Sequence, residues 1–265
     1  YGFGLAGIGM LLGLFIFIRY NSMLEGKSEP PSVEKLRQTV VWFLNVEWLC
    51  YLSGIGIVGL SMFLVMNEEL VGGILGPLGI LMLIFMVGYA LVSLKGVERS
   101  RMLAAMYFIL AQIPFWALFE QAGSSLNLFT ARLVDRVILG WSIPGPVFQS
   151  LNAGFIFLFA PLMAWLWIGL AKKNLNPSTP VKFSLGVAMA GLGFLVLVAG
   201  MKGSGTAALT PVLFIFLIYW IHTIGELMVS PVGLSVVTKL APANMVGMTM
   251  GAWFLYSGIS HFLAG

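Results

Sequence analysis

Residues 115–126 read FWALFEQAGSSL. A run this apolar, with Glu120 at its centre, Gln121 beside it and a Gly-Ser-Ser step directly after, raises the question of what surrounds it. On a water-soluble helix a lone Glu faces water. The composition removes that option: 59% of the residues are hydrophobic and only 9% charged, with a mean hydropathy of +0.98. An ordinary soluble domain has about 45 to 50% apolar and about 25% charged residues. The chain therefore reads as an integral membrane protein. Apolar runs of about 20 residues recur along its length, enough to cross a hydrocarbon core of about 30 Å at about 1.5 Å per helical residue. Nothing resembles the alternating, roughly ten-residue strands of a membrane barrel, so the spans are predicted to be helices and the fold all-α.

Working outward from Glu120, eight spans are expected, at about 1–20, 39–66, 71–94, 103–129, 147–170, 181–201, 211–239 and 246–264. The net charge of +4 would fit a nucleic-acid partner only if the basic residues formed a patch, but they lie in the loops between spans. Arg19, Lys27, Lys35, Arg37, Lys95, Arg99, Arg101, Lys172, Lys173, Lys182 and Lys239 fall in alternate loops, against Arg132, Arg136 and Lys202 in the others. That asymmetry places the first set in the cytoplasm and both ends of the chain on the far side. The single Cys50 excludes a disulfide framework within the chain and a Cys-rich metal site, and reads as a small buried or lipid-facing residue. No signal peptide is visible. Tyr1 opens directly on an apolar run and Gly265 stops inside one, so the expectation is a piece of a longer protein. Gly9 with Gly13, and Gly186 with Ala190, are small-xxx-small steps that predict close helix packing.

Charged side chains at bilayer depth cost about 2.5 to 3.5 kcal/mol on insertion scales and usually face a cavity or the bundle interior. Glu47, Glu120 and Glu226 are the candidates. Glu47 lies early in its span, where it reads as interfacial or paired with Arg37 or Lys35. Glu120 shares a helical face with Trp116 and Ser124 at i−4 and i+4, and Pro114 is expected to loosen that helix. Such a carboxyl suits a group that takes up and releases a proton as its surroundings change. A second constellation is IHTIGELMVSPVGLS, residues 221–235, where His222, Glu226 and Ser230 share a face and Pro231 removes the hydrogen bond to the Leu227 carbonyl. His222 and Glu226 do not have the zinc-protease spacing, so His222 reads as a polar packing residue and no metal is expected. Gln149 and Asn152, at i and i+3, are amides able to hydrogen-bond a peptide group, and Trp253, Ser257 and His261 lie on one face of the last span.

Three blocks in this order, FWALFEQAGSSLNLF at 115–129, FQSLNAGFIFLFAPLMAWLW at 148–167 and HTIGELMVSPVGLSVVTKLAP at 222–242, resemble the second half of bacterial proton-dependent oligopeptide transporters. The resemblance implies the major facilitator fold, two six-helix bundles with a helical pair inserted between them. Residues 1–20 would then be helix six, 21–38 a cytoplasmic linker, 39–94 the inserted pair, and 103–265 helices seven to eleven of the C-terminal bundle, with helix twelve and the N-terminal bundle absent.

The resemblance also implies roles: Glu120 in proton coupling, Trp116 lining the cavity, Asn152 contacting the peptide backbone, Glu226 receiving the peptide amino terminus, Trp253 and Ser257 lining the pocket, Gln149 as a weaker match, and Pro114 and Pro231 as hinges. It implies a multi-pass protein of the cell inner membrane that imports di- and tripeptides with protons. The other expected partners are the lipid bilayer and the missing N-terminal bundle. The proton is the coupling ion and no cofactor is expected. Members carrying nitrate or other small solutes remain an alternative, although a carboxylate at Glu226 repels an anion. So does a half-domain that transports nothing when isolated. An intramembrane enzyme is disfavoured, because neither a nucleophile elbow nor a metal motif is present.

Overall fold

Backbone polar groups inside an apolar medium have no solvent partner and must close their hydrogen bonds within the segment. Long helices accordingly dominate the computed structural model, which describes residues 2–26, 32–41, 44–205 and 208–265. Lys27, part of the expected 21–38 linker, and residues 42–43 of the second expected span lie outside the described residues. The chain divides into two units, residues 1–68 and 69–265.

In the first unit, α1 (Gly2–Tyr20) runs into a 3-10 turn at Asn21–Leu24. Next comes α2 (Val33–Arg37), capped by the Ser32 hydroxyl, which accepts from the Lys35 amide at 3.3 Å. Thr39–Val41 (β1) and Leu44–Asn45 (β2) pair antiparallel, so the span expected from residue 39 becomes helical only at α3 (Val46–Val65). Asn45 explains that start: its Oδ1 accepts from the Trp48 amide at 2.9 Å and caps the helix. Glu47 does not pair with Lys35 or Arg37; its Oε1 instead accepts from the Tyr51 hydroxyl one turn on, at 3.3 Å. Cys50 is exposed on α3, not buried. Within this unit Gly9 and Gly13 face open space and make no close packing.

The second unit contains α4 (Glu68–Val92), α5 (Gly96–Ala111), α6 (Ile113–Phe119), α7 (Ser125–Leu133), α8 (Ser150–Lys172), α9 (Thr179–Ser204), α10 (Leu213–Leu240) and α11 (Val246–Ala264). Helix α10 is its centre, packed against α5, α8, α9 and α11. The α9–α10 seam is the tightest, and glycine makes it possible. A Cβ at Gly186 would stand 2.7 Å from Val229 Cγ2 and 2.8 Å from the Gly225 carbonyl oxygen. One at Gly193 would meet the His222 ring at 2.6 Å, and Gly200 backs onto the Phe214 ring. Of the two small-residue steps read from the sequence, the one at Gly186 and Ala190 is therefore a true packing seam. Tyr256 of α11 donates its hydroxyl to the Gly79 carbonyl of α4 at 2.7 Å, and Arg99 caps the end of α4 through the Leu94 and Leu91 carbonyls.

Short strands close the loops: β3 (Val134–Asp135) lies parallel to β6 (Thr210–Pro211), and β4 (Val137–Ile138) forms a hairpin with β5 (Trp141–Ser142). Leu139 and Gly140, with φ of 51° and 83°, make the tight two-residue turn that such a hairpin favours.

Seven segments among the described residues are long and apolar enough to cross a membrane. The eighth expected span forms α11, but Thr249, Ser257, Ser260 and His261 lower its hydropathy. Outward-facing Phe157, Trp165 and Leu195 are 87%, 74% and 68% exposed, an apolar surface suited to lipid. In the full-length protein, Gly186→Ala should lower thermal stability by about 1 to 3 kcal/mol, because the new methyl meets backbone that cannot yield. Gly191→Ala, where nothing lies within 4 Å, should leave the melting temperature of the detergent-solubilised protein within about 1 °C.

Candidate functional site

The helix carrying Glu120 is interrupted twice. The first interruption is at Gln112, between α5 and α6, where Pro114 occupies the first turn of α6 and cannot donate back. The second comes at Glu120 itself, which opens a 3-10 turn at Glu120–Ala122, followed by Ser124 in a non-helical conformation with φ −114° and ψ −101°. The single span expected over 103–129 is thus three helical pieces, and Ser124 does not continue the face of Trp116 and Glu120. Its hydroxyl instead lies 2.9 Å from the Ala264 carbonyl, to which Gln121 Nε2 also donates at 3.2 Å. Gln121 Oε1 accepts from Ser125. Polar residues after Glu120 therefore fasten the broken turn to the end of α11.

Glu120 is partly exposed, and its Oε1 lies 3.4 Å from His261 Nε2 on α11. The His261 ring also approaches Trp116, with centroids 6.0 Å apart. Trp116 is held from behind: its Nε1 donates to Gln112 Oε1 at 3.0 Å, and the same oxygen accepts from Ser257 Oγ at 3.2 Å. Gln112 Nε2 donates to the Trp253 carbonyl at 2.9 Å. One buried amide thereby links Trp116 to Ser257 and α6 to α11. Trp253, expected to line the pocket, is only 2% exposed, its ring seated against Gly233 in the core. What it offers this cluster is its carbonyl.

On α10, the face expected to group His222 with Glu226 divides between two neighbours. His222 is buried and donates from Nε2 to the Ala190 carbonyl of α9 at 3.0 Å, between the rings of Phe119 and Phe194. It is a packing residue, as its spacing implied. Glu226 turns to α8, where its Oε2 accepts from Asn152 Nδ2 at 2.9 Å. Asn152 Nδ2 also donates to Thr223 Oγ1 at 3.1 Å. Gln149 lies in the 3-10 turn before α8, and no hydrogen bond among the described residues joins it to this group. Pro231 is exposed and α10 continues through it unbroken.

The sequence reading passed over Gln112 and Thr223. Gln112 had a signal, as the one strongly polar side chain in the run 104–119. Thr223 had none, since a threonine in a helix is usually satisfied by its own preceding turn.

A multi-span helical bundle with carboxylates, amides and hydroxyls gathered between its helices is a polytopic membrane protein with an internal polar site. The whole chain, residues 1–265, matches the family described as PTR2, POT family, and it belongs to that family. It is 34% identical over 284 residues to the peptide transporter YePEPT of Yersinia enterocolitica, covering 100% of this chain and 54% of that protein. It is 36% identical over 260 residues to the uncharacterized transporter YclF of Bacillus subtilis, covering 96% and 51%. Among solved structures, a mutant of the peptide transporter POT in complex with alafosfalin superposes with a TM-score of 0.72 at 32% identity, covering 99% of this chain and 53% of that one. A POT family transporter in complex with 5-aminolevulinic acid gives 0.70 at 29%, covering 99% and 55%. These neighbours have the major facilitator fold, the fold class the sequence implied, and the relatives are transporters rather than enzymes. The chain spans about half the length of the relatives it matches.

Replacing Gln112 by Leu in the full-length protein leaves the Trp116 indole N–H without its partner and removes the side-chain tie to the Trp253 carbonyl, which keeps the Ser257 hydroxyl at 3.1 Å. A loss of about 1 to 3 kcal/mol is expected, read as a lower melting temperature. An unchanged melting temperature would show that the Gln112 amide holds nothing.

Proposed function

We propose that this chain is the second half of a proton-coupled importer of di- and tripeptides that works by alternating access in the bacterial inner membrane. The observation that carries the reading is the Asn152–Glu226 pair: a half-buried carboxylate with one oxygen held by an amide and the other open among the described residues. An ammonium group is the natural partner of such an oxygen, since a charge-assisted hydrogen bond offsets the desolvation of both charges. An anion is repelled there. The peptide-transporter names among the relatives point the same way.

In this reading residues 1–20 are helix six, 39–94 the inserted pair and 103–265 the C-terminal bundle. An N-terminal bundle supplies the groups that hold the peptide carboxylate. Trp116 and Ser257, set by Gln112, line the side of the pocket. Glu120 is the proton-coupling group: it stands where its helix is broken, so a change in its charge acts on a turn held to α11 by a few polar contacts rather than by a continuous helical ladder. An inward membrane potential adds about 2.3 kcal/mol per charge per 100 mV, enough for one proton to support a substantial peptide gradient. Pro114 and the 3-10 turn after Glu120 are the flexible points of this half, with Pro231 a further candidate hinge.

The deciding experiment is alanyl-dipeptide uptake by the full-length protein in proteoliposomes, with and without an inward proton gradient. Accumulation that depends on the gradient is the expected result, and none in a folded protein would overturn the substrate assignment. Glu120→Gln should reduce gradient-driven uptake at least ~10-fold while leaving peptide counterflow largely intact, as expected of a lost proton acceptor. Driven uptake at the parental rate would remove Glu120 from the coupling role. Glu226→Ala should raise the KM for dialanine by about 10- to 100-fold, the cost of a charge-assisted contact. It should change the KM of an analogue lacking the amine much less, and equal losses for both would dissociate Glu226 from the amine.

A further inference from the structure

Thr223 is fully buried on α10, one turn before Glu226. Its hydroxyl donates to the Tyr219 carbonyl at 2.7 Å, which commits its only hydrogen. Toward Asn152, 3.1 Å away, the Thr223 oxygen is therefore an acceptor only. Asn152 has two amide hydrogens, and its Nδ2 lies within reach of two acceptors, Thr223 Oγ1 and Glu226 Oε2. Both donors are consumed by α10. The remaining polar atom, Asn152 Oδ1, is neither bonded within the protein nor sealed from solvent among the described residues.

From this we infer that Thr223 is a positioning residue: it fixes the Asn152 amide with its oxygen toward the pocket, so that this side chain offers a ligand an acceptor and no donor. The inference rests on the proposed peptide site and narrows its chemistry. Glu226 could not set the orientation alone. A charged Glu226 demands the amide NH2, but once protonated it could donate to Oδ1 and let the amide flip. Thr223, with its hydrogen spent on the helix, accepts in either case. Two acceptors, Asn152 Oδ1 and the free Glu226 oxygen, then face the ligand together. A primary ammonium or an adjacent peptide N–H satisfies both, whereas a group that presents only acceptors leaves both unpaired.

The test uses the full-length protein with dialanine as the probe. Thr223→Val keeps the shape and removes the hydroxyl, and should raise the KM about five-fold at nearly unchanged maximal rate, the loss expected of one neutral hydrogen bond. Thr223→Ser should recover most of that affinity. In the Asn152→Ala background, Thr223→Val should cost nothing further, because no amide remains to orient. A rise in KM that is the same with and without Asn152, or none at all, overturns the inference. A readout independent of transport is the melting temperature of the same four-variant cycle, where Thr223 and Asn152 should be coupled; Thr223→Ala serves if the valine variant does not accumulate. Coupling in melting without dialanine transport would sink the peptide reading while leaving the Thr223 contact intact. Additive melting losses would remove Thr223 whatever is transported.

Discussion

A polar group carried into an apolar helix bundle costs free energy until a partner takes its hydrogen bond, and most polar groups buried in the second unit find that partner on their own helix. The hydroxyls of Thr130, Thr223, Thr249 and Ser260 all donate to the carbonyl four residues back. Larger groups have to reach across. His222 requires α9 to bring the Ala190 carbonyl close, which in turn requires glycine at 193 to admit the imidazole. Gln112, whose backbone is already bonded to Phe108 and Trp116, requires a carbonyl of α11 for its side-chain amide. The same need for satisfaction thus sets the separation of α9 from α10 and the join of α6 to α11. What it leaves over defines the site, because Glu120, Glu226 and Asn152 keep polar atoms that no described protein group fills.

The glycine seam gives this site its rigid side. With Gly186 and Gly193 against α10, side chains on α10 cannot retreat toward α9 without meeting backbone. Thr223 and Glu226 are therefore presented to α8 from a fixed platform, and Asn152 meets both with one nitrogen. Precision in such a site comes from supporting contacts as much as from the residues that touch the ligand. Gln112 does the same for Trp116 and Ser257 on the other side, one oxygen accepting from both.

Membrane class, helical architecture and the presence of carboxylates within apolar helices were legible in the sequence because each rests on a local and strong signal: long apolar runs, and charge where charge is costly. Partners were less legible. Glu47 turned to Tyr51 rather than to the nearby cations because a side chain one turn away on the same helix is already in place, with no loop to order. His222 and Glu226 share a face by spacing, yet 40° of rotation on the helix is enough to give them different neighbours. Trp253 is apolar enough for the core and is buried there, while its carbonyl, which no residue code displays, joins the Gln112 network. Gly9 and Gly13 carry the same small-residue signal as Gly186 and Ala190, and only the second pair has a helix against it within its own unit. A motif states what packing is possible, and the neighbour decides whether it occurs.

Backbone breaks follow proline only in part. Pro231 sits exposed in α10, and the helix passes through it, since the loss of one hydrogen bond is small against packing on four neighbouring helices. Pro77 and Pro161 likewise lie inside continuous helices. The break at Gln112 lies beside Pro114, but the one from Glu120 to Ser124 contains no proline. It has a glycine and Ser124, with Ser125 directly after it, and Gln121 and Ser124 both reach the Ala264 carbonyl of α11. Of the two carboxylates, Glu226 consequently stands in a continuous helix packed on four neighbours and Glu120 at a break in its helix. A ligand contact gains from the first setting because preorganisation lowers the cost of binding. A group whose charge must alter conformation gains from the second, because a change of one charge is worth only a few kcal/mol and can move only backbone that is not already locked.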